Sequence, residues 1–276
     1  MPEQLGSRVP ATADEATTGE FDERAGLPAN AGECGECAAP STNASGVAEP
    51  VEVSAIASEL AERAGLSLCR VDGTLSLSDG TMRVAGDFTR MIPRLKDAAL
   101  HRELLVRAAR LKGTEHPTAI DATAGLGEDS LLLAAAGFRV TLFERDPVIA
   151  ALLADALERA AAIPELADII ARMKLVASDS VVGLNTLDCT PDLVFLDPMF
   201  PAKRGDARAK KKLQLFQRLE APCDDEETLL DAAFAARPQK IVVKRPVRGP
   251  YLAGKKPSYS LTGKTVRYDC HVIPRA

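Results

Sequence analysis

From Thr118 onward, short apolar runs alternate with helix-spaced segments, and no other feature of the chain restricts its fold as much. Runs at 118–123, 139–144, 173–177, 192–197 and 239–244 have the length and composition of buried strands. Between them, 128–136, 147–161 and 224–235 carry helical spacing, and the 147–161 segment opens on Pro147, whose fixed φ suits a first helical turn. Strands separated by helices pair in parallel, because each crossover returns the chain to the same edge before the next strand begins. Tyr259 to Ile273 reads as two further strands joined at Thr262-Gly263-Lys264, an antiparallel hairpin at one edge. The expected fold is therefore α/β, a doubly wound Rossmann-like sheet with an antiparallel C-terminal hairpin. Ligands of such sheets lie beyond the carboxyl ends of the strands, where Gly125, Glu144, Asp179 and Asp197 fall.

Upstream the pattern changes. Residues 1–50 are rich in Ala, Gly, Glu, Pro, Ser and Thr, with Phe21 as the one aromatic, and are expected to be a disordered acidic leader. Residues 51–112 are expected to form a small N-terminal α/β subdomain and 113–276 the main domain. Val53, Ile56, Leu60 and Ala64 give the subdomain a helix. Asp79-Gly80 between Leu75-Ser76-Leu77 and Met82-Arg83-Val84 gives it a hairpin. A helix over Lys96 to Arg110 leads into the main domain.

Net charge of −5 argues against a polyanionic partner only until it is divided along the chain. Residues 1–62 hold twelve acids against two bases, whereas Arg237 to Tyr268 holds nine bases and no acid. The acidic leader masks a basic C-terminal part. The acidic N-terminus has no secretory signal and no apolar run is long enough to span a bilayer, so a cytoplasmic protein without a membrane partner is expected. Six cysteines stand at 34, 37, 69, 189, 223 and 270. Cys34 and Cys37 make a CxxC with no second pair at ligand spacing, so no metal is expected and reduced thiols are the reading.

Asp121-Ala122-Thr123-Ala124-Gly125-Leu126-Gly127 follows one strand and opens a helix. Its glycines permit a tight turn and a close backbone approach to a ligand, although a plain strand-to-helix turn uses glycine too. Glu144, nineteen residues beyond Gly125 and at the end of the second strand, stands where an acid takes ribose hydroxyls. Ser130 occupies the place of a third glycine, and Glu128 and Asp129 crowd a helix start where a pyrophosphate would be repelled. A positively charged nucleoside suits this acidic turn, which points to S-adenosylmethionine. Asp179-Ser180 can reach an adenine amine or cap a helix, and Arg145 can line the same site or pair with a surface acid.

Asp197-Pro198-Met199-Phe200-Pro201 ends the fourth strand. A carboxylate at Asp197 and the Pro198 carbonyl can each accept a hydrogen bond from an exocyclic amine, and the Phe200 ring can stack on a flat base. A strand-end turn with a buried Phe remains the plainer use of these residues. Asp-Pro-Pro-aromatic is the general amino-methyltransferase pattern, and here Met199 replaces the second proline.

That replacement narrows the match. Asp121 to Gly127, Glu144-Arg145-Asp146-Pro147-Val148, Leu196 to Pro201 and Val242-Val243-Lys244-Arg245-Pro246 together resemble the bacterial small-subunit ribosomal RNA guanine-N2-methyltransferase family that acts near the 3′ end of the RNA. The resemblance runs from about Leu75 to the C-terminus and adds Asp87-Phe88 and Arg102-Glu103. It implies a class I S-adenosylmethionine-dependent methyltransferase, with cofactor held by Glu128-Asp129, Glu144-Arg145, Asp179-Ser180 and Asp197, and catalysis at Asp197, Pro198 and Phe200. The implied partner is small-subunit ribosomal RNA or the small ribosomal subunit. Lys203 and Arg204 after the catalytic loop, with Lys244 and Arg245 after the next strand, would meet RNA phosphates, as would Arg208, Lys210, Lys211, Lys212 and Arg248. An amino-methyltransferase acting on DNA adenine or protein glutamine, and a non-catalytic RNA-binding or assembly factor, are the competing readings.

Overall fold

The computed structural model describes residues 50–198, 215–216, 218–219 and 225–274. The expectations for the leader, for Cys34 and Cys37, and for Phe200, Lys203, Arg204, Arg208 and Lys210 to Lys212 lie outside the described residues.

Helix α1 (Pro50–Arg63) leads into a three-stranded antiparallel sheet of β1 (Ser67–Val71), β2 (Thr74–Ser78) and β3 (Arg83–Val84). The expected β2–β3 hairpin is present, pairing Leu77 with Val84 and Ser78 with Arg83. The β1–β2 hairpin was not foreseen. It turns at Asp72-Gly73 with φ of 50° and 76°, the double left-handed geometry of a two-residue turn, and Asp-Gly is the sequence signal for it. Three short helices follow, α2 (Ile92–Leu95), α3 (Asp97–Leu100) and α4 (Leu104–Ala109), the last two in place of one helix over 96–110. The breaks fall at Lys96 and Glu103, both extended. A fork from Arg94 to the Glu103 carboxylate, at 2.7 and 2.8 Å, ties the segments across them.

The main sheet is then laid down by β4 (Thr118–Asp121), α5 (Glu128–Ala135), β5 (Arg139–Phe143), α6 (Pro147–Ala161), α7 (Pro164–Ile170), β6 (Met173–Val176), α8 (Ser180–Asn185), β7 (Leu193–Leu196), α9 (Glu226–Ala235), β8 (Lys240–Pro246), β9 (Tyr259–Thr262) and β10 (Val266–Val272). Its strand order is β6-β5-β4-β7-β8-β10-β9, with β4 to β8 parallel and the last two pairings antiparallel. This is the expected doubly wound sheet with its C-terminal hairpin, and its winding reverses between β4 and β7.

Alternation along each strand divides the core between the two faces. Ala119, Phe195 and Val242 join α4, α5 and α7 on one face, while Ile120, Val194, Leu196, Ile241 and Val243 join α8 and α9 on the other. Fully burying each such Leu, Ile or Val contributes roughly 1.5–3 kcal/mol. Lys240 is buried with them and donates from Nζ to the carbonyls of Ala108 and Arg110 at 2.9 and 2.5 Å, which satisfies the end of α4.

Helix α6 serves both sheets. Leu153, Ala156 and Ala160 enter the main core, and Val148, Ala151 and Leu152 pack with Ala57, Ala61 and Leu77 of the small one. Buried Asp155 pins the join, accepting from Arg70 at 2.6 Å, the Leu75 amide at 3.2 Å and Arg159 at 2.8 Å. Cys69 and Cys270 are free thiols, but Cys189 is disulfide-bonded, which departs from the expectation of reduced cysteines throughout. No described helix is long and apolar enough to cross a membrane.

Candidate cofactor and acceptor site

A cleft of about 500 Å³ opens at the carboxyl ends of β4, β5 and β7, over the point where the winding reverses. Asp121, Gly125, Gly127, Glu128, Asp129, Glu144, Arg145, Asp179, Ser180, Asp197 and Pro198 all line it. Every cofactor residue expected from the sequence is therefore brought to one place. Apolar residues complete the walls, among them Phe143, Ile149, Phe195, Phe216 and Leu229. These are ordinary core types, and nothing in their spacing separates a cleft wall from a core position.

The turn after β4 is shaped by its glycines and clamped by two acids. Gly125 and Gly127 have φ of 53° and 76°, in the left-handed region. A Cβ on Gly127 would lie 2.8 Å from Leu153 Cδ1 and 3.2 Å from the Phe88 ring, so space as well as backbone excludes a side chain there. The Gly125 amide donates to Glu144 Oε2 at 2.8 Å, and the Asp146 amide donates to Oε1 at 2.9 Å. Glu144 thus fixes the glycine turn while it faces the cleft, and a carboxylate has acceptor capacity for hydroxyls beside such backbone donors.

Asp121 is fully buried below the turn. Its Oδ1 accepts from the Thr123 amide at 3.0 Å and its Oδ2 bonds the Ser130 hydroxyl at 2.5 Å. Ser130 stands in the place of a third glycine because it partners this acid. Burial is the main force on the Asp121 carboxyl, raising its pKa to about 7 against the hydrogen bonds from Ser130 and Thr123.

Asp179 caps α8, its Oδ1 accepting from Val181 and Val182 amides at 2.7 and 3.4 Å. The capping alternative is real, yet Asp179 and Ser180 also line the cleft, so one residue serves both uses. Arg145 lines the cleft as well, the one basic residue among seven acids in the lining formed by the described residues.

Asp197 follows β7, and the β7–β8 register, Leu196 against Val243, sets it beside Lys244. Its amide donates to Thr123 Oγ1 at 2.6 Å, and its Oδ2 meets Lys244 Nζ at 2.9 Å. The same ammonium reaches Asp129 Oδ2 at 2.5 Å, at the start of α5. Burial raises the Asp197 carboxyl above the ordinary carboxylate range, with Lys244 opposing and Asp129 reinforcing the rise. Lys244 is held in its charged form by the two acids.

The two β8 cations expected to meet RNA are otherwise engaged. Lys244 is ion-paired inside the site, and Arg245 is buried, donating to the Pro250 carbonyl at 3.1 Å and facing Glu226 at 3.2 Å. Alternation along β8 turns successive side chains to opposite faces, and both faces are covered here. Of that neighbourhood, Arg248 is exposed.

The family described as "Putative SAM-dependent methyltransferase" matches residues 56–273. The chain belongs to that family. Within it, ribosomal RNA small subunit methyltransferase J of Thioalkalivibrio sulfidiphilus is 44% identical over 212 residues, covering 75% of this chain and 81% of the relative. The enzyme of the same description from Alkalilimnicola ehrlichii is 46% identical over 217 residues, covering 76% and 80%. A crystal structure of a SAM-dependent methyltransferase from Neisseria gonorrhoeae superposes with a TM-score of 0.63 at 37% identity, covering 77% of this chain and 84% of that one.

S-adenosylmethionine is accordingly the cofactor, and the cleft fits it. Glu144, Asp179 and Ser180, the residues expected to meet the ribose and the adenine, all stand on its wall. Among the described residues the lining carries seven acids against one guanidinium, two of the acids sharing the Lys244 ammonium, a balance that suits a positively charged sulfonium rather than a phosphate.

Proposed function

We propose that this protein methylates the exocyclic 2-amino group of a guanine in small-subunit ribosomal RNA. The observation that carries the reading is the placement of Asp197 and Pro198 on the wall of the cofactor cleft, at the end of β7. The printed names of the relatives, which specify small-subunit ribosomal RNA, support the substrate class.

An exocyclic amine on guanine is a poor nucleophile because its lone pair is delocalised into the ring. When bound, S-adenosylmethionine supplies a methyl group activated by a positive sulfur. The protein's own task is alignment. The Asp197 carboxylate accepts a hydrogen bond from one amine N–H and the Pro198 carbonyl accepts one from the other, which directs the nitrogen lone pair toward the cofactor side of the cleft. Holding two reactants in line contributes on the order of 7–11 kcal/mol to such a step. The amine becomes acidic as it is alkylated, so a carboxylate at Asp197 is base enough to take the surplus proton. Thr123 and Lys244 keep that carboxylate in place. Stacking of the base on Phe200 belongs to this reading on sequence grounds, as do phosphate contacts at Lys203 and Arg204.

The test is transfer of tritiated methyl to small ribosomal subunits lacking the modification, followed by nucleoside analysis. N2-methylguanosine is expected with the wild type and none with Asp197→Ala. Label in adenine, in cytosine or in protein would overturn the guanine assignment. Full turnover by Asp197→Ala would overturn the mechanism.

A further inference from the structure

Lys244 was expected to hold RNA, yet its ammonium lies between two carboxylates of the site: 2.5 Å from Asp129 and 2.9 Å from Asp197. The side chain is 24% exposed, less than a phosphate-binding lysine on an open surface would be. Its position follows from the sheet. Register places Lys244 beside Asp197 on one side and opposite Tyr268 of β10 on the other. Asp129 comes from the first turn of α5, at the end of the glycine turn.

We propose that Lys244 is a positioning residue for methyl transfer: it pins Asp197 through Oδ2 and couples it through Asp129 to the glycine turn. This rests on the reading of Asp197 as the acid that orients the acceptor amine. With Oδ2 held by the ammonium, Oδ1 is the oxygen that takes the amine proton. One cation thereby fixes the angle between the acceptor acid and the turn that bears the cofactor, the angle on which in-line transfer depends.

Electrostatics make the role specific. The groups facing Asp197 are Lys244 and Arg245 from β8, Asp129 from α5, Asp121 from β4, and Tyr268 from β10, whose phenol burial holds neutral. Burial and the neighbouring Asp129 carboxylate favour protonation of Asp197, and Lys244 is the nearest opposing charge. A protonated Asp197 would lose the acceptor that the amine needs. A cation beside a carboxylate lowers its pKa by about 1–3.

Lys244→Met removes the charge at similar length, and Lys244→Arg keeps it. Single-turnover and steady-state kinetics on subunits lacking the modification are expected to show kcat for Lys244→Met reduced at least about tenfold, with KM for the subunit nearly unchanged. The acidic limb of its kcat–pH profile should move up by about one pH unit or more. Lys244→Arg should return the limb toward the wild-type position. Combined with Asp197→Asn, Lys244→Met should cost little further, because both act at one carboxylate. A raised KM with normal kcat, an unmoved limb and a weaker salt dependence of subunit binding would overturn the inference and return Lys244 to a phosphate contact. If Lys244→Met does not fold, Lys244→Gln, which also removes the charge but keeps a polar end, is read by the same criteria. Should Asp197→Asn alone retain full turnover, the acceptor role of Asp197 fails first; should it abolish turnover while Lys244→Met leaves kcat and limb intact, the positioning role fails alone.

Discussion

Replacing Asp121 with Asn should make the protein more stable at alkaline pH, and the size of the effect follows from one buried carboxyl. Asp121 is 1% exposed, and burial raises its pKa from 3.8 to about 7. In the unfolded chain the group has ionised by pH 5, whereas the folded protein still holds the proton there. Between those two pKa values the folded state binds more protons, so stability falls as pH rises, and the loss is complete once pH passes the folded value. Each pH unit in that window costs about 1.4 kcal/mol, so the two units from pH 5 to 7 cost about 3 kcal/mol. Asn is close to isosteric, its amide oxygen can accept from Thr123 and its NH2 can donate to Ser130, and it does not titrate. Urea unfolding of both proteins at about pH 5 and about pH 8 gives the difference directly. The wild type should lose about 2–3 kcal/mol more than Asp121→Asn over that interval, other titrations cancelling between them. Parallel stability curves would show that Asp121 is already ionised in the fold, and the account of its burial would be wrong.

Glu144→Ala should weaken S-adenosylmethionine binding by roughly 1.5–3 kcal/mol through lost hydrogen bonds to a charged group, measured by calorimetry, and the freed Gly125 amide should exchange hydrogen faster. Gly127→Ala should destabilise the fold by roughly 2–4 kcal/mol in urea unfolding, since left-handed strain adds to the overlap with Leu153 and Phe88.

The sheet was legible because its strands are nearly continuous apolar runs and its crossovers are helix-length, which leaves parallel pairing as the arrangement to expect. The cleft residues were legible for a related reason. In such a sheet the crevice lies beyond the carboxyl ends of the strands, and Glu144, Asp179 and Asp197 each end or follow a strand and line the cleft there. What stayed hidden depends on orientation across the sheet. Lys244 and Arg245 are both basic and adjacent, so as letters they look like a phosphate grip, and only the register of β7, β8 and β10 reveals that both point into the protein. Ser130 looked like a missing glycine until Asp121 was seen to need its hydroxyl. Phe143, Ile149 and Leu229 carry no mark that separates a cleft wall from a core. The short helices α3 and α4 stand where one helix was expected, and the Arg94–Glu103 fork that ties this segment together joins residues nine apart, a contact that helical periodicity does not report.

The two-sided helix α6 bears on how such a chain can be rebuilt by recombination. Its buried positions divide lengthwise, with Val148, Ala151 and Leu152 serving the small sheet and Leu153, Ala156 and Ala160 the large one. A crossover placed in the loop after β3 would separate α1 and its strands from the face they fit, and from Asp155, which holds Arg70 and the Leu75 amide. A chimera that exchanges the N-terminal sheet between two relatives must carry those four α6 positions with it. The seam between the modules therefore runs along a helix, and no single cut in the gene follows it.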